Sequence, residues 1–188
     1  MGASKTAQKQ ATRQRLYGAL MELWANQPLA EVSVVELADR AGVSRMAFYR
    51  NCGTKEQVVE FYLDDLVGQY LQEMRAMTDL SVRSFTYRFC LNFEEHASLI
   101  AYLRRDGLEA LLLRKFDQYL RQIVAQQLHH LSASTLEEGY LLDFVAGGLF
   151  KTLMAWSDEG MERPVAEVAR KTSQLILRIT GGEAVAAP

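Results

Sequence analysis

The chain has 188 residues and a mass of 21.3 kDa, which fits one domain or one large domain beside a small one. Its 49% apolar and 23% charged residues exclude disordered and fibrous classes. No apolar run approaches the ~18 residues that span a bilayer, the amino terminus lacks a signal peptide's apolar stretch, and Cys52 and Cys90 make no disulfide framework, so a cytoplasmic protein without a membrane partner is expected. The net charge of −2 is uneven: Met1 to Lys55 carries eight basic and four acidic groups, the other 133 residues 13 and 19. A basic head on an acidic body suits a partner rich in phosphate.

In chain order, helical periodicity runs nearly throughout and no segment alternates as a strand does. Leu16, Ala19, Leu20, Leu23 and Trp24 mark one face of a first helix that stops before Pro28, and residues before about Gln8 read as a frayed tail. Ser33 to Glu36 is a capping box that opens a short helix ending near Gly42, and Ser44 caps another short helix to about Arg50. Thr54 to Gln57 is a second capping box, starting a long helix to about Met77. Further helices are expected over Val82–Glu95, Ser98–Arg105, Leu108–Leu131, from a cap at Thr135 to Asp158, and from Pro164 to Ile179, ahead of Gly181-Gly182. The prediction is an all-α chain of about nine helices. Its first domain, 1–53, holds a three-helix helix-turn-helix; its second, 54–188, is a helical bundle.

The informative stretch is Val34 to Lys55. Two short helices meet at Gly42, where a residue without Cβ suits a left-handed backbone. Ala38 lets the helices cross closely, and Leu37, Ala41, Val43 and Phe48 form the seam. This is the pattern of a helix-turn-helix, whose second helix enters the major groove of DNA; an ordinary helix corner in a bundle has the same local features. The string Gly42-Val-Ser-Arg-Met-Ala-Phe-Tyr49-Arg-Asn-Cys-Gly-Thr-Lys55-Glu resembles the DNA-binding signature of the TetR/AcrR family of bacterial transcriptional regulators, usually close to GVSxxTLYxHFxSKExL. The resemblance covers roughly Ala11 to Leu63. It departs at Asn51 (usually histidine), Cys52 (usually phenylalanine) and the pair Met46-Ala47.

In this reading Arg45 pairs with guanine, Met46 or Ala47 touches a thymine methyl, and Arg50 reaches base or backbone. The resemblance gives Tyr49 a phosphate contact. Asn51 can hydrogen-bond a phosphate, and Lys55, at a helix start, favours one. Ser33, Ser44 and Thr54 complete the candidate DNA-binding set.

The resemblance further implies a ligand cavity in the body and a dimer. The expected effector is small and hydrophobic or aromatic, lodged among Phe89, Phe93, Tyr102, Phe116, Tyr119, Tyr140 and Phe144. The expected interface takes Leu142, Val145, Gly148, Leu149, Leu153, Trp156, Val168 and Leu175 from the last two helices, with Gly147-Gly148 admitting a second helix closely. A symmetric pair reads a palindromic operator. The function so implied is a homodimeric repressor released from duplex DNA by its effector. A helical adaptor without a DNA role and a helical-bundle enzyme are the alternatives. Neither His129-His130 nor Glu94-Glu95-His96 has metal-ligand spacing, and no nucleotide, hydrolase or zinc motif occurs, so no enzyme activity, cofactor or metal is expected.

Overall fold

Residues 2–79, 81–127 and 136–180 are described by the structure, a computed structural model. They form nine α-helices, with no strand among the described residues: α1 Gly2–Trp24, α2 Val34–Arg40, α3 Arg45–Asn51, α4 Lys55–Ala76, α5 Val82–Glu95, α6 Ala97–Arg105, α7 Glu109–Gln127, α8 Leu136–Asp158 and α9 Val165–Ile179. A 3₁₀ turn, Leu29–Glu31, follows α1. The all-α class expected from the periodicity is what the chain adopts. One boundary differs: α1 begins at Gly2 rather than near Gln8, because Ala3 to Gln14 holds no glycine or proline to interrupt a helix. The cap expected at Thr135, the end of the helix expected to reach Leu131, His129-His130 and Gly181-Gly182 lie outside the described residues.

Two compact units divide the chain. The first comprises Met1–Gln69 with Ala101–Leu112, so the two units divide within α4, the helix that follows the expected first domain 1–53. Its core is Leu16, Leu20, Trp24, Leu37, Phe48, Val58, Val59 and Leu103, all buried. The 3₁₀ turn that leads into α2 is held from both ends. Asp106 Oδ2 accepts from Trp24 Nε1 and from the Leu29 N–H, each at 2.5 Å, and Arg105 Nη2 donates to the carbonyls of Trp24 (2.7 Å) and Gln27 (3.0 Å). At the other end Lys55 Nζ donates to the carbonyls of Leu29 (2.6 Å), Ala30 (3.2 Å) and Val32 (2.6 Å). Burial works against the charged form of Asp106, but the hydrogen bonds from Arg105, Leu29 and Trp24 outweigh it and hold the carboxyl below its ordinary range.

The second unit comprises Tyr70–Ile100 with Leu113–Pro188. Its most extensive packing joins α5 to α9. An aromatic cluster fills it: Phe89 meets Tyr70, Phe85, Phe116 and Tyr119 with ring centroids 5.1–6.0 Å apart, and Phe116 meets Phe150 at 5.5 Å. Cys90 is fully enclosed beside it, and burial pushes its thiol up to about 12. Among the described residues no helix is long and apolar enough to cross a membrane.

Candidate nucleic-acid interface

The turn between α2 and α3 closes as the sequence requires. Gly42 has φ +62°, the Gly42 N–H reaches Asp39 O (3.1 Å) and the Val43 N–H reaches Ala38 O (2.9 Å), so the last carbonyls of α2 are satisfied where a Cβ would be strained. Ala38 is wholly buried at the crossing. Ser33 Oγ accepts from Glu36 N (3.0 Å) and Ser44 Oγ from Ala47 N (3.1 Å), fixing the start of each helix.

With seven residues, α3 has room for two faces. Phe48 points inward and is 0% exposed; Ala47 and Asn51 are half-buried. Arg45, Met46, Tyr49 and Arg50 share the outer face, at the i, i+1, i+4, i+5 spacing that keeps side chains together on a helix. Met46 is 81% and Tyr49 57% exposed. Among the described residues neither Arg45 nor Arg50 has an acidic partner. Two cations, a thioether and a phenol therefore stand in water on one face; the arginines are at home there, while the apolar area of Met46 and Tyr49 gains nothing from water in the isolated chain.

The remaining expected residues fare differently. Asn51 turns its amide back to Ala47 O (2.7 Å), and Thr54 Oγ1 caps α4 by accepting from Gln57 N (3.1 Å). Lys55 departs from its expected role as a phosphate ligand, since its ammonium is directed onto three backbone carbonyls. It braces the helix-turn-helix. Cys52, 5% exposed, has a thiol raised by burial against the smaller opposing pull of Arg13 and Lys9, so it is held protonated as a packing residue.

Residues 16–60 match the family model for bacterial regulatory proteins of the tetR family, and residues 81–178 match that for the transcriptional regulator C-terminal region. The second match alone spans more than half of the chain. The chain belongs to the TetR family of transcriptional regulators. Solved structures of similar fold include a TetR transcriptional regulator from Streptococcus agalactiae 2603V (20% identity, 94% of this chain and 99% of that one, TM-score 0.66). A second is the dihydroxyacetone kinase operon activator (14% identity, 92% and 98%, TM-score 0.67). A third is the Thermus thermophilus FadR, a TetR-family repressor, in complex with lauroyl-CoA (20% identity, 94% and 98%, TM-score 0.60). No curated protein matches significantly. Membership of a regulator family replaces the enzyme alternative.

In this TetR-family chain the expected effector residues separate. Phe89, Phe93, Phe116 and Tyr119 are buried in the second unit, where Phe89 and Tyr119 stack at 5.8 Å. Tyr102 belongs to the first unit, against Trp24 at 5.7 Å and under the Arg105 guanidinium. Tyr140 and Phe144 are each 65% exposed on the outer face of α8, so none of these three joins the cluster. Sequence reading missed Tyr70, whose place at the end of α4 carries no local signal. Among the described residues Tyr119 Oη is buried without a hydrogen-bond partner.

The expected interface divides likewise. Leu149, Leu153, Trp156 and Val168 are largely buried within their own unit, with Trp156 and Val168 at the floor of an open groove that Gly148 and Leu175 also line; Trp156 Nε1 donates to Arg163 O (3.0 Å). Leu142 and Val145 are half-buried, and Gly148 and Leu175 face outward. Periodicity marked α8 and α9 as apolar but could not say which stripe faces inward, because both stripes of α8 are apolar.

Proposed function

We propose that this chain is a homodimeric, DNA-binding transcriptional repressor of the cytoplasm whose operator affinity falls when a small apolar effector occupies its second unit. The observation that carries the reading is the outer face of α3: Arg45, Met46, Tyr49 and Arg50 are exposed, and among the described residues neither arginine has an acidic partner, while Phe48 is wholly buried. Arg45 in the first turn pairs with guanine, Met46 and Ala47 meet a thymine methyl, and Tyr49 with Arg50 takes backbone phosphates. Ser33, Ser44, Asn51 and Thr54 line the same region with small hydrogen-bonding groups. Two copies set about 34–36 Å apart read a palindrome.

The dimer reading is supported by the outer stripe of α8 and α9, where Tyr140, Phe144, Gly147, Gly148 and Ala155 stand with Leu175 and Ile179. The effector reading is supported by the buried aromatic cluster around Phe89, Phe93, Phe116 and Tyr119, and by the unpartnered Tyr119 hydroxyl, which a ligand acceptor or donor would satisfy. The lauroyl-CoA complex of the Thermus thermophilus FadR is an example of this fold with a ligand that carries a long acyl chain.

The test is duplex binding with a 30-base-pair DNA recovered by selection from a random library. Arg45→Ala is expected to abolish discrimination between that duplex and a scramble, losing about 1–3 kcal/mol at the contacted base, and Tyr49→Phe to weaken both duplexes alike. A parent chain that selects no duplex, or an Arg45→Ala variant that discriminates as well as the parent, overturns the reading.

A further inference from the structure

The front of α1, ahead of the stretch that matches the family model, is an ordered part of the first unit. Its cations have different fates. Arg13 lies over the Phe61 ring at 3.4 Å and donates to Asn51 O (3.5 Å); Arg15 donates to Gly42 O (3.4 Å). Both fasten α1 to the helix-turn-helix. Lys9 is exposed and, among the described residues, has no acidic partner.

Lys9 and Arg50 meet in an open cleft of about 430 Å³ whose other walls are Gln8, Thr12 and Asn51. Among the described residues no acidic one lines it. The neutral walls are pinned, since Thr12 Oγ1 donates to Gln8 O (2.9 Å) and the Asn51 amide to Ala47 O (2.7 Å). That leaves the Lys9 ammonium and the Arg50 guanidinium as the charged groups of a concave surface whose other side chains are neutral, with the Gln8 amide as a further donor. Field from the same side reaches the interior, where Lys9 and Arg13 both favour the charged form of the enclosed Cys52 thiol.

We propose that this cleft is a second phosphate site, in which Lys9 and Arg50 neutralise the DNA backbone beside the recognition helix and Gln8 adds a neutral donor. The site rests on the reading of α3 as a major-groove probe. Duplex DNA is favoured over a free anion because the cleft is open and includes Arg50, which also stands on the outer face of α3 with Arg45 and Tyr49. An open pair of cations gains chiefly by releasing counterions from a polyanion, whereas a small anion needs enclosure and converging donors. The protein's footprint on the duplex thus extends from α3 onto α1.

The experiment measures binding to the selected duplex and to its scramble as salt is varied, for the parent, Lys9→Gln, Lys9→Glu, Arg50→Gln and, as a control, Arg45→Ala. Lys9→Gln exchanges two good helix formers at an exposed position, so the fold is retained, and circular dichroism checks it. Each neutral substitution is expected to make the slope of log K against log salt shallower by about 0.9 and to weaken both duplexes equally, about five- to tenfold near 0.1 M salt; Lys9→Glu costs more. If Lys9→Gln and Lys9→Glu match the parent while Arg45→Ala still loses discrimination, the cleft is not a phosphate site and the reading of α3 stands. If the parent binds no duplex, both fall. Inorganic phosphate at matched ionic strength is expected to give no Lys9-dependent thermal shift, and a shift lost in Lys9→Gln assigns the cleft to a free ion instead.

Discussion

Phe48 and Tyr49 are neighbours with edge-to-face rings 5.3 Å apart, yet one is wholly buried and the other mostly in water. A helix turns about 100° per residue, so the border between the inner and outer faces of α3 can fall between two consecutive side chains; Phe48 faces the core of the first unit, and Tyr49 keeps a hydroxyl that would be costly to enclose unpaired. Asp106 shows the opposite solution, a nearly buried carboxylate made tolerable by donors. Its carboxyl is held below the ordinary value of about 3.9, so its contribution to stability is present above that range and lost as pH falls through the lowered, folded value. At neutral pH, Asp106→Ala leaves the Trp24 Nε1–H and the Leu29 N–H unpaired and is expected to cost about 1–3 kcal/mol. Thermal midpoints of the parent and Asp106→Asn should converge on acidification from about pH 5 to pH 2, and parallel curves would show that the charge of Asp106 contributes nothing. None of this was legible locally: Arg105, Asp106 and Lys55 find acceptors and donors 23 to 82 residues away in the chain.

At the scale of elements, helix starts were readable because Ser33, Ser44 and Thr54 act on a backbone N–H three residues on, an interaction within one turn. Stops were readable where Gly42 and Gly160 take positive φ. The glycine pair in α8 was legible as an anomaly but not explained by its own chain: a Cβ added at Gly147 or Gly148 meets nothing within 4 Å. Gly148→Ala is therefore expected to raise the intrinsic stability of α8 by about 1 kcal/mol. It should also weaken self-association, by filling the space a second helix needs. Sedimentation is expected to give the parent at twice 21.3 kDa at micromolar concentration, with Gly148→Ala dissociating on dilution. A variant that is both stabilised and equally dimeric would remove the glycines from the interface.

For the whole molecule, the coupling of effector to DNA is a statement about free energy. A ligand that prefers the form unsuited to the operator must lower DNA affinity by the same factor by which DNA lowers its own, commonly about 1–3 kcal/mol. Tyr119 gives a handle on that linkage. Removing its unpartnered hydroxyl by Tyr119→Phe should leave the free protein as stable or up to about 1 kcal/mol more so, with duplex affinity unchanged. Release of the duplex by hydrophobic and aromatic compounds should be weakened. Equal release in Tyr119→Phe would place the effector's polar group elsewhere.

The sequence by itself determined the helical class, most helix ends, the Gly42 turn and the identity of the outward residues on α3, because each depends on period, capping or φ within a few residues. Tertiary structure decided which apolar stripe of α8 faces its own unit, that Tyr102 and Phe89 belong to different units, and that Lys55 and Asp106 grip a single turn from opposite ends. Those outcomes depend on packing and on donors and acceptors supplied by distant parts of the chain, and no local pattern encodes the distance between them.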